Sequence, residues 1–397
     1  MSKPRLFIFL NRLAVGGPAI NTLSVAAELS RDFEILLVAG EPMRDEQSAE
    51  FLLEQYKGFA VKRIKSLRRT ILPIQDIKSY YHIKKIIREF KPDIIHTHGA
   101  KPGVVGRLAG WRMNVPVIIH TFHGHVFHSY FSSFISQRII WIERMLAKIS
   151  TAVIAINQTL GNELVNKYKI AAAEKVKLIR LGVETEKFTD ADGSKRQSFR
   201  KEFLLSEDEI VVGIIGRLVP VKQHSLFIEI AEQLIQSSKQ KLRFFIVGNG
   251  PEKSRIEQLI VQKNLTSTSE ATNRKAQFIF TSWRHDMDIV YAGLDIVMLT
   301  SLNEGTPVSI MEAMSAAKPV VSTNAGGVAE LIESGKTGFV GTTKQKLTEQ
   351  TAILIEEISK RNEIGSNAVQ FATQQLSKAY EVEQLKKLYF ELIHKAG

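Results

Sequence analysis

Two glutamates in the last third of the chain flank a predicted helix start. Glu304 and Glu312 lie on either side of Thr306 and Pro307, directly after the apolar run 296–299. Threonine is a favoured N-cap and proline suits the first helical position, so we expect the helix to begin here. A helix N-terminus attracts phosphate, whereas carboxylates repel it and accept hydrogen bonds from hydroxyl groups. The pattern therefore predicts a ligand with hydroxyl groups on both sides of a phosphate, such as a sugar nucleotide. The alternative is that Glu312 pairs locally on an exposed helix face.

A glycine and two basic residues follow the apolar run 210–215. Gly216 and Arg217 come directly after it, and Lys222 stands five residues later at the start of the next predicted helix. Glycine lets a ligand approach the backbone closely, while arginine and lysine bind phosphate through bidentate and point-charge contacts. Such a pair alone is typical of an exposed surface. Because it lies in the same half as the two glutamates, we expect it to neutralise a departing diphosphate.

The composition excludes several classes of protein and site. The 397 residues suffice for two domains, and 44% hydrophobic with 24% charged residues is typical of a globular chain. The chain has no cysteine, which excludes disulfides, thiolate nucleophiles and cysteine-ligated zinc. No stretch has the roughly 20 consecutive apolar residues of a membrane span. Arg12 interrupts the first apolar run, so no signal peptide is predicted. We therefore expect a cytoplasmic protein.

Positive charge is concentrated in the first half of the chain. Residues 1–190 hold 28 Lys and Arg against 17 Asp and Glu, a balance of +11, and residues 191–397 hold 25 against 24, a balance of +1. Ten basic and two acidic residues lie within 61–91. This segment is either a solvated surface helix or a site of attraction to an anionic partner, such as a membrane leaflet or a phosphorylated acceptor. We expect no nucleic-acid partner, because the segment lacks interleaved aromatic and basic strand residues.

Short apolar runs alternate with longer amphipathic segments along most of the chain. Runs such as 6–10 and 210–215, with helical patterns between them, are typical of parallel strands buried on both faces and joined by right-handed crossovers. The pattern starts again near residue 210, after the polar stretch 185–200. We therefore predict an α/β chain with two Rossmann-like domains joined near 183–208.

The predicted domain bounds follow from this repeat. Residues 1–190 form the first domain and residues 205–376 the second, while a helix over about 377–397 is expected to pack back on the first. Two such domains facing each other leave a cleft at the carboxyl ends of their strands, where ligands bind in these folds.

The chemistry-bearing segments together resemble the retaining GT-B glycosyltransferases of family 4. The resemblance rests on Gly-Arg-x4-Lys, on Glu-x7-Glu and on the trailing segment 319–327, and it covers nearly the whole chain. It implies that Arg217 and Lys222 hold the diphosphate of a sugar donor. It also implies that Glu304 contacts the donor sugar, that Glu312 accepts both ribose hydroxyls, and that Gly305 and Thr306 lie at the donor site. One departure is Gln223, which follows the lysine where the family usually has glycine.

The resemblance implies further, weaker donor-site candidates. Gly250 and Arg284 lie in segments that match stretches near the nucleotide in such enzymes. Gly16 and Gly17 resemble the family's glycine loop near the donor phosphate, although a glycine pair before Pro18 is also an ordinary turn.

Six of the ten histidines fall within residues 96–128. The cluster is a conceivable metal site, but no Asp or Glu lies within 96–103 or 117–130, so we predict no metal. The turn 121–124 resembles the family's active-site histidine turn, which implies that His123 contacts the donor sugar. We expect His98 beside the cleft and His125 at the acceptor entrance, together with an aromatic cluster that is alternatively core packing.

The sequence thus predicts an enzyme that moves a sugar from a nucleotide-diphosphate sugar, with UDP-sugar favoured, to a cell-envelope or lipid-linked glycan. Retention is implied by the resemblance. Neither metal nor cofactor is expected, and residues 61–91 suggest an anionic membrane surface as a further partner. Two alternatives stay open: a GT-B sugar-nucleotide epimerase or hydrolase, and a non-catalytic sugar-nucleotide-binding protein.

Overall fold

A computed structural model describes residues 3–14, 17–42, 48–67, 72–124 and 133–396. The chain divides into two compact units. The first comprises Met1–Leu181 and Lys378–Gly397, and the second comprises Gly182–Ser377.

The first unit is built on a seven-stranded sheet. Its strands are β1 (Arg5–Arg12), β2 (Glu34–Gly40), β3 (Ala60–Ile64), β4 (Ile94–His98), β5 (Val117–Phe122), β6 (Ala152–Ala155) and β7 (Val176–Leu178). They lie in the order β3-β2-β1-β4-β5-β6-β7, and each neighbouring pair is parallel. The crossovers hold α1 (Gly17–Leu29), α2 (Leu52–Gln55), α3 (Pro73–Phe90), α4 (Ala100–Arg112), α5 (Ser133–Lys148) and α6 (Gln158–Asn162), followed by a π-helical turn at Glu163–Lys167 and a 3-10 turn at Ala173–Lys175.

Strand β1 shows why the strands of this sheet are continuous apolar runs in the sequence. Leu6, Ile8 and Leu10 pack in one hydrophobic cluster, while Phe7 and Phe9 pack in another with side chains of α3 and α4. Because successive side chains of a strand point to opposite faces, both faces of β1 are buried.

The second unit repeats this architecture. Its strands are β8 (Glu209–Ile215), β9 (Lys241–Val247), β10 (Ser267–Thr268), β11 (Phe278–Ser282), β12 (Ile296–Leu299), β13 (Val320–Thr323) and β14 (Phe339–Gly341), in the parallel order β10-β11-β9-β8-β12-β13-β14. Its helices are α7 (Ser194–Glu202), α8 (His224–Ser237), α9 (Lys253–Gln262), α10 (Met287–Gly293), α11 (Val308–Ser315), α12 (Lys344–Glu356) and α13 (Ile358–Gln375). Short 3-10 turns lie at Thr185–Phe188, Pro220–Lys222 and Gly326–Glu330. The prediction of two Rossmann-like α/β units is confirmed.

The last helix, α14 (Lys378–Ala396), belongs to the first unit. Its apolar stripe, which includes Leu385, Tyr389 and Leu392, packs in the same cluster as Leu6 and Ile8 of β1. The chain therefore returns to the first sheet after it has completed the second.

The boundary between the units differs from the sequence prediction. The first unit ends at Leu181, so residues 182–190 belong to the second unit, and the predicted joining segment 183–208 is part of it as well. The Val183 N–H donates to the Leu376 carbonyl at 2.8 Å. Phe188 packs edge-on against Tyr291, with ring centroids 5.6 Å apart. The polar composition of 185–200 suggested a linker, but a few buried aromatic residues fix it to the second core.

The basic segment 61–91 also differs from the single surface helix considered from its sequence. Its first residues lie in β3, an edge strand in which Lys62 and Arg63 are exposed, and its later residues form α3. Charged side chains on an edge strand discourage pairing with other chains.

Candidate functional site

The two strongest sequence motifs meet at one point of the second sheet. Strands β8 and β12 are neighbours, yet the chain winds away from them in opposite directions. Ligands of doubly wound folds bind at the carboxyl ends of strands at such a switch point. Lys222 follows β8 and Glu304 follows β12, so the fold itself places both side chains there.

Lys222 and Glu304 form a largely buried ion pair. The Lys222 Nζ lies 2.6 Å from the Glu304 Oε1, which also accepts a hydrogen bond from the Ser301 hydroxyl at 2.5 Å. The side chains are only 20% and 13% exposed. The Thr300 hydroxyl contacts the Lys222 carbonyl at 3.0 Å, which ties the lysine loop to the end of β12. The structure therefore brings together a cation and a carboxylate that lie 82 residues apart in the chain.

Gln223, the departure from the resembled family, takes the backbone conformation that favours glycine. Its φ is +50° and its ψ is +48°, and it stands at the N-cap of α8. A residue with a Cβ in this region costs about 1 kcal/mol relative to the right-handed conformation. Gln223 therefore adopts a conformation that glycine adopts without this cost.

Glu312 lies on α11 and is held by a buried tyrosine. The Tyr291 hydroxyl donates to the Glu312 Oε2 at 2.9 Å, and the same hydroxyl oxygen lies 3.1 Å from the Ser309 carbonyl. Burial raises the pKa of Glu312 to about 7, against the opposing effects of the Tyr291 hydrogen bond and the positive charge of Lys187. Burial likewise raises the pKa of Tyr291 well above its usual value. At neutral pH the Glu312 carboxyl is close to its midpoint of ionisation.

Helix α11 begins one residue later than the sequence predicted. Its N-cap is Pro307 rather than Thr306, and no side chain caps it. The first N–H groups of a helix have no acceptor within it, and proline supplies none from its side chain. Of these, the Ile310 N–H donates to the Pro307 carbonyl at 3.0 Å. That the start of α11 holds a phosphate between Glu304 and Glu312 stays a prediction.

The remaining donor-site candidates differ in their surroundings. Arg217 is exposed and lies in the segment between β8 and α8. Gly250 allows close packing, because a Cβ there would stand 2.3 Å from the Leu218 carbonyl oxygen. Arg284 is engaged by two carboxylates: its guanidinium contacts Glu202 at 2.5 and 2.9 Å and Asp286 at 2.8 and 2.6 Å. These pairs raise its pKa, and its place at the donor site stays a prediction.

In the first unit, His98 and His123 are hydrogen-bonded to each other. The His98 Nδ1 lies 3.0 Å from the His123 Nε2, at the carboxyl ends of β4 and β5. Burial lowers the pKa of His123 to about 4 and that of His98 well below its usual value, and the other histidines lower His98 further. Both imidazoles are therefore neutral at pH 7.

His96, next to these histidines, forms two further buried contacts. The His96 Nδ1 lies 2.6 Å from the Tyr389 hydroxyl, and its Nε2 lies 2.6 Å from the Thr121 hydroxyl. The His96 and His98 rings are close, with centroids 4.2 Å apart. Helix α14 thus supplies the Tyr389 hydroxyl beneath the strand ends that carry the histidines.

Several predicted residues lie outside the described part of the chain. They are Gly16 of the glycine loop and His125 of the predicted acceptor entrance, with its aromatic neighbours at 127, 130 and 131. Gly17 is described, as the exposed first residue of α1. Among the described residues, no group of three or more His, Cys, Asp or Glu side chains is arranged to hold a metal ion. None of the helices within the described ranges is long and apolar enough to span a bilayer.

Comparison with known proteins assigns the family. Residues 15–187 match the model of Glycosyltransferase Family 4, and residues 195–371 match that of Glycosyl transferases group 1. The chain belongs to the family 4, group 1 glycosyltransferases. The predicted family is therefore confirmed, and the protein is a hexosyl-type transferase.

Individual relatives and structures agree with this assignment. The UDP-Gal:alpha-D-GlcNAc-diphosphoundecaprenol alpha-1,3-galactosyltransferase of Escherichia coli is 28% identical over 92% of this chain and 90% of its own length. The capsular polysaccharide biosynthesis glycosyltransferase CapM of Staphylococcus aureus is 22% identical, over 85% and 86%. The crystal structure of Anabaena HepE in complex with UDP has a TM-score of 0.81 at 22% identity, covering 98% of this chain and all of that one. The fold of this glycosyltransferase is GT-B, as predicted.

Sequence reasoning missed the residues that hold the site residues in place. Tyr291 lies in α10 without a motif around it, and Ser301 lies between the apolar run 296–299 and Glu304 without a pattern that marks it. The ring of Tyr389 packs in the apolar stripe of α14, and its hydroxyl contacts His96. Polarity within an apolar stripe was the only available signal for Tyr389.

Gly326 fixes the backbone of the Glu304 loop. Its φ is +53°, and a Cβ there would stand 1.9 Å from the Glu304 carbonyl oxygen. The next N–H, that of Gly327, donates to the carbonyls of Glu304 and Gly305 at 3.3 and 3.1 Å. The trailing glycines of the resemblance therefore have a packing reason in this glycosyltransferase.

We expect Gly326→Ala to lower both stability and activity, because the added methyl must displace the Glu304 backbone as well as strain the chain by about 1–3 kcal/mol. Gly335→Ala is the matched control, since Gly335 also has a positive φ of +87° but has no atom within 4 Å of its virtual Cβ. Melting temperature and kcat/KM are measured for both variants. Equal losses in the two variants would show that strain alone, and not contact with the Glu304 loop, accounts for the effect.

We expect Tyr389→Phe to lower the free energy of unfolding by about 1–3 kcal/mol, because it removes a hydroxyl partner from the buried His96 ring. Tyr81→Phe is the control, since Tyr81 is 63% exposed on α3. Urea titration of both variants measures the effect. An equal and small change in the two would contradict a structural role for the Tyr389 hydroxyl.

Proposed function

We propose that this glycosyltransferase moves a hexosyl or N-acetylhexosaminyl group from a UDP-sugar to a lipid-linked glycan acceptor of the cell envelope, at the cytoplasmic face of the membrane. The observation that carries the proposal is the Lys222–Glu304 pair at the start of α11, with Glu312 further along the same helix. The functions of the Escherichia coli and Staphylococcus aureus relatives support a lipid-diphosphate or polysaccharide acceptor, and the HepE complex supports UDP as the nucleotide.

The donor diphosphate is proposed to lie at the first N–H groups of α11. Lysine has three N–H donors, so the Lys222 Nζ can contact a phosphate oxygen while it remains paired with Glu304. Arg217, exposed at the same loop, supplies the second positive charge. Glu312 accepts the ribose hydroxyls and Glu304 accepts a hydroxyl of the sugar, which places carboxylates only where the donor has hydrogen-bond donors.

The chemistry is proposed to retain the configuration of the anomeric carbon. The bond from that carbon to the β-phosphate oxygen breaks, and the acceptor oxygen forms its bond on the same face. The acceptor proton passes to the departing phosphate oxygen, so no carboxylate nucleophile is needed. Lys222, Arg217 and the α11 N–H groups stabilise the charge that develops on the phosphate.

Histidines of the first unit are proposed to contribute neutral hydrogen bonds. His123, whose pKa burial lowers to about 4, contacts the sugar near the transferred carbon, and His98 holds the His123 ring through their 3.0 Å contact. Because both rings are neutral, they contribute hydrogen bonds and not charge.

We propose that the reaction needs neither metal nor cofactor, since two side-chain cations and a helix N-terminus face the diphosphate. The test is transfer in the presence of EDTA, with a panel of UDP- and GDP-sugars first ranked by the rise in melting temperature that each produces. Transfer from a UDP-sugar to a lipid-diphosphate-linked sugar, with the anomeric configuration of the product kept in its proton NMR spectrum, is expected. An inverted product, or restoration of activity only by added Mn²⁺ or Mg²⁺, would contradict the proposed chemistry.

The two alternative functions give different products in the same assay. An epimerase or hydrolase converts the donor without an acceptor, yielding an epimer or free sugar. A non-catalytic binder raises its melting temperature with UDP-sugar but yields neither product. Either result overturns the transferase proposal for this acceptor class.

An anionic membrane surface is a separate proposed partner of residues 61–91. The cations of this segment outnumber its acids, although Lys62 pairs with Glu89 at 3.4 Å and Arg63 with Glu50 at 2.9 Å. Residues 68–71, with two further arginines, lie outside the described residues. Flotation with anionic liposomes is expected to decrease with salt and with charge reversal at Lys62, Arg63 and Lys65. Flotation that is absent or insensitive to salt would end this proposal.

A further inference from the structure

A polar pocket lies between helices α8 and α9 of the second unit. Its volume is about 670 Å³, and small-molecule sites ordinarily occupy about 300–1,000 Å³. Its lining comes from α9 and the N-cap Glu252, from the first two turns of α8, and from Pro220 in the turn before α8. The pocket therefore has the size of a small-molecule site.

His224, the first residue of α8, is a buried imidazole in this lining. It is 3% exposed, and neither of its ring nitrogens has a hydrogen-bond partner within the described ranges. Burial, with a further contribution from the positive charge of Lys222, lowers its pKa to about 4. The ring is therefore neutral at pH 7 and has one N–H donor and one acceptor nitrogen. Because buried polar groups are ordinarily hydrogen-bonded, this ring indicates a ligand whose hydroxyl groups donate and accept.

The charged side chains of the pocket form ion pairs. Glu229 lies 3.1 Å from the Lys344 Nζ of α12, and Glu252 lies 3.1 Å from a terminal nitrogen of Arg255. In the lining itself, two carboxylates stand against one guanidinium. Such a balance repels a phosphate rather than attracting it, so the charges favour a neutral ligand.

The rest of the lining combines amide and hydroxyl groups with apolar side chains. Gln258 and Gln262 are exposed and lie one turn apart on α9, and Ser225 lies on α8. Pro220 and Leu259 add apolar surface. A pyranose ring matches this combination, because its hydroxyl groups donate to and accept from amides, while the C–H groups of its faces pack against apolar side chains.

We propose that this pocket binds a neutral carbohydrate through His224, Gln258 and Gln262. The occupant is a free sugar or one unit of a longer glycan chain, since both offer the same hydroxyl groups. The carbohydrate is expected to bind together with UDP, because Pro220 lines the pocket while Lys222, in the same turn, pairs with Glu304 at 2.6 Å. The inference rests on the pocket alone and does not depend on the donor chemistry proposed above.

Binding is measured by saturation-transfer NMR, with UDP present to occupy the donor site. The probes are the methyl α-pyranosides of glucose, galactose and N-acetylglucosamine, and the tetrasaccharide maltotetraose. Saturable binding of at least one probe is expected. Tighter binding of the tetrasaccharide than of the glucoside would identify a glycan unit as the occupant, and equal binding a free sugar. If all four probes fail to bind saturably to the wild type, the proposal is overturned, whatever the outcome of the transferase assays.

Substitution locates the bound carbohydrate. The double variant Gln258→Ala, Gln262→Ala is expected to weaken binding about tenfold, because it removes neutral hydrogen bonds to the ligand. The control Gln370→Ala, Gln374→Ala removes two exposed glutamines with the same spacing on α13 and should leave the affinity unchanged. Both double variants should keep the melting temperature of the wild type.

His224→Phe tests the buried imidazole, since it removes both ring nitrogens and keeps an aromatic ring. The affinity for the carbohydrate is expected to fall, while the melting temperature stays equal or rises, because buried polar groups without partners destabilise the fold. An unchanged affinity in His224→Phe, or equal weakening in the two glutamine double variants, would show that the carbohydrate binds another surface. Displacement of the bound probe by inorganic phosphate would contradict a site for a neutral ligand.

Discussion

Replacing Lys222 with alanine should lower kcat/KM about 100- to 1000-fold, because one preorganised donor to a departing oxyanion contributes a few kcal/mol to the transition state. The variant also deprives Glu304 of the cation 2.6 Å away. Steady-state rates with saturating acceptor measure the loss. Activity of Lys222→Ala within threefold of the wild type would count heavily against the assigned role.

A double-mutant cycle separates the two contributions of Lys222. If the lysine acts only by neutralising Glu304, then Lys222→Ala adds no further loss in a Glu304→Gln background. If it acts on the phosphate, most of the loss persists in that background. We expect most of the loss in kcat/KM to persist in the Glu304→Gln background. Lys263→Ala is the matched control, since Lys263, which follows α9, forms a 2.6 Å pair of similar exposure with Glu232 of α8. It should leave kcat/KM unchanged.

Glu312→Gln should weaken donor binding about 10- to 100-fold at pH 8, because the carboxylate accepts charge-assisted hydrogen bonds worth about 1.5–3 kcal/mol each. In the wild type, the raised pKa of about 7 means that the ionised carboxyl is lost as the pH falls below 7. Uridine is the suitable probe, since it has no phosphate that titrates in this range. Its affinity should decline by up to about tenfold per pH unit below pH 7, and the decline should be absent in Glu312→Gln.

The same substitution should stabilise the protein at high pH. The folded pKa of about 7 exceeds the usual 4.5, so between these values the folded chain keeps a proton that the unfolded chain releases. The free energy of unfolding therefore falls as the pH rises through this window, by up to about 3 kcal/mol, and the loss is complete above pH 7. Glutamine does not ionise. A melting-temperature gain for Glu312→Gln at pH 8 and none at pH 5 is expected, and an equal gain at both pH values would contradict the raised pKa.

The central strands could be predicted from the sequence because they are buried on both faces. Runs such as 210–215 and 296–299 are continuous and apolar, and the structure has strands at β8 and β12 over nearly the same residues. Strand β3 escaped prediction because it is an edge strand with outward Lys62 and Arg63. The domain boundary escaped because Phe188 and Phe199, two aromatic residues within polar sequence, fix their segment to the second core.

The candidate site was likewise predictable from the sequence only in part. Lys222 and Glu304 could be placed together from sequence, since residues at the carboxyl ends of neighbouring parallel strands converge. The side chains that hold the site residues in place could not be identified from the sequence. Tyr291 reaches Glu312 across 21 residues and Tyr389 reaches His96 across 293, and no local pattern encodes such contacts.

Binding of uridine and UDP to three forms of the enzyme tests the central claim, that α11 and its flanking residues hold a nucleotide diphosphate. Calorimetric competition in EDTA gives the affinity of each ligand for the wild type, Lys222→Ala and Glu312→Ala. We predict that Lys222→Ala binds uridine as the wild type does but loses most of the additional affinity for UDP, while Glu312→Ala loses affinity for both ligands by a similar factor. If both variants bind both ligands as the wild type does, the nucleotide binds elsewhere and the proposed donor site is wrong.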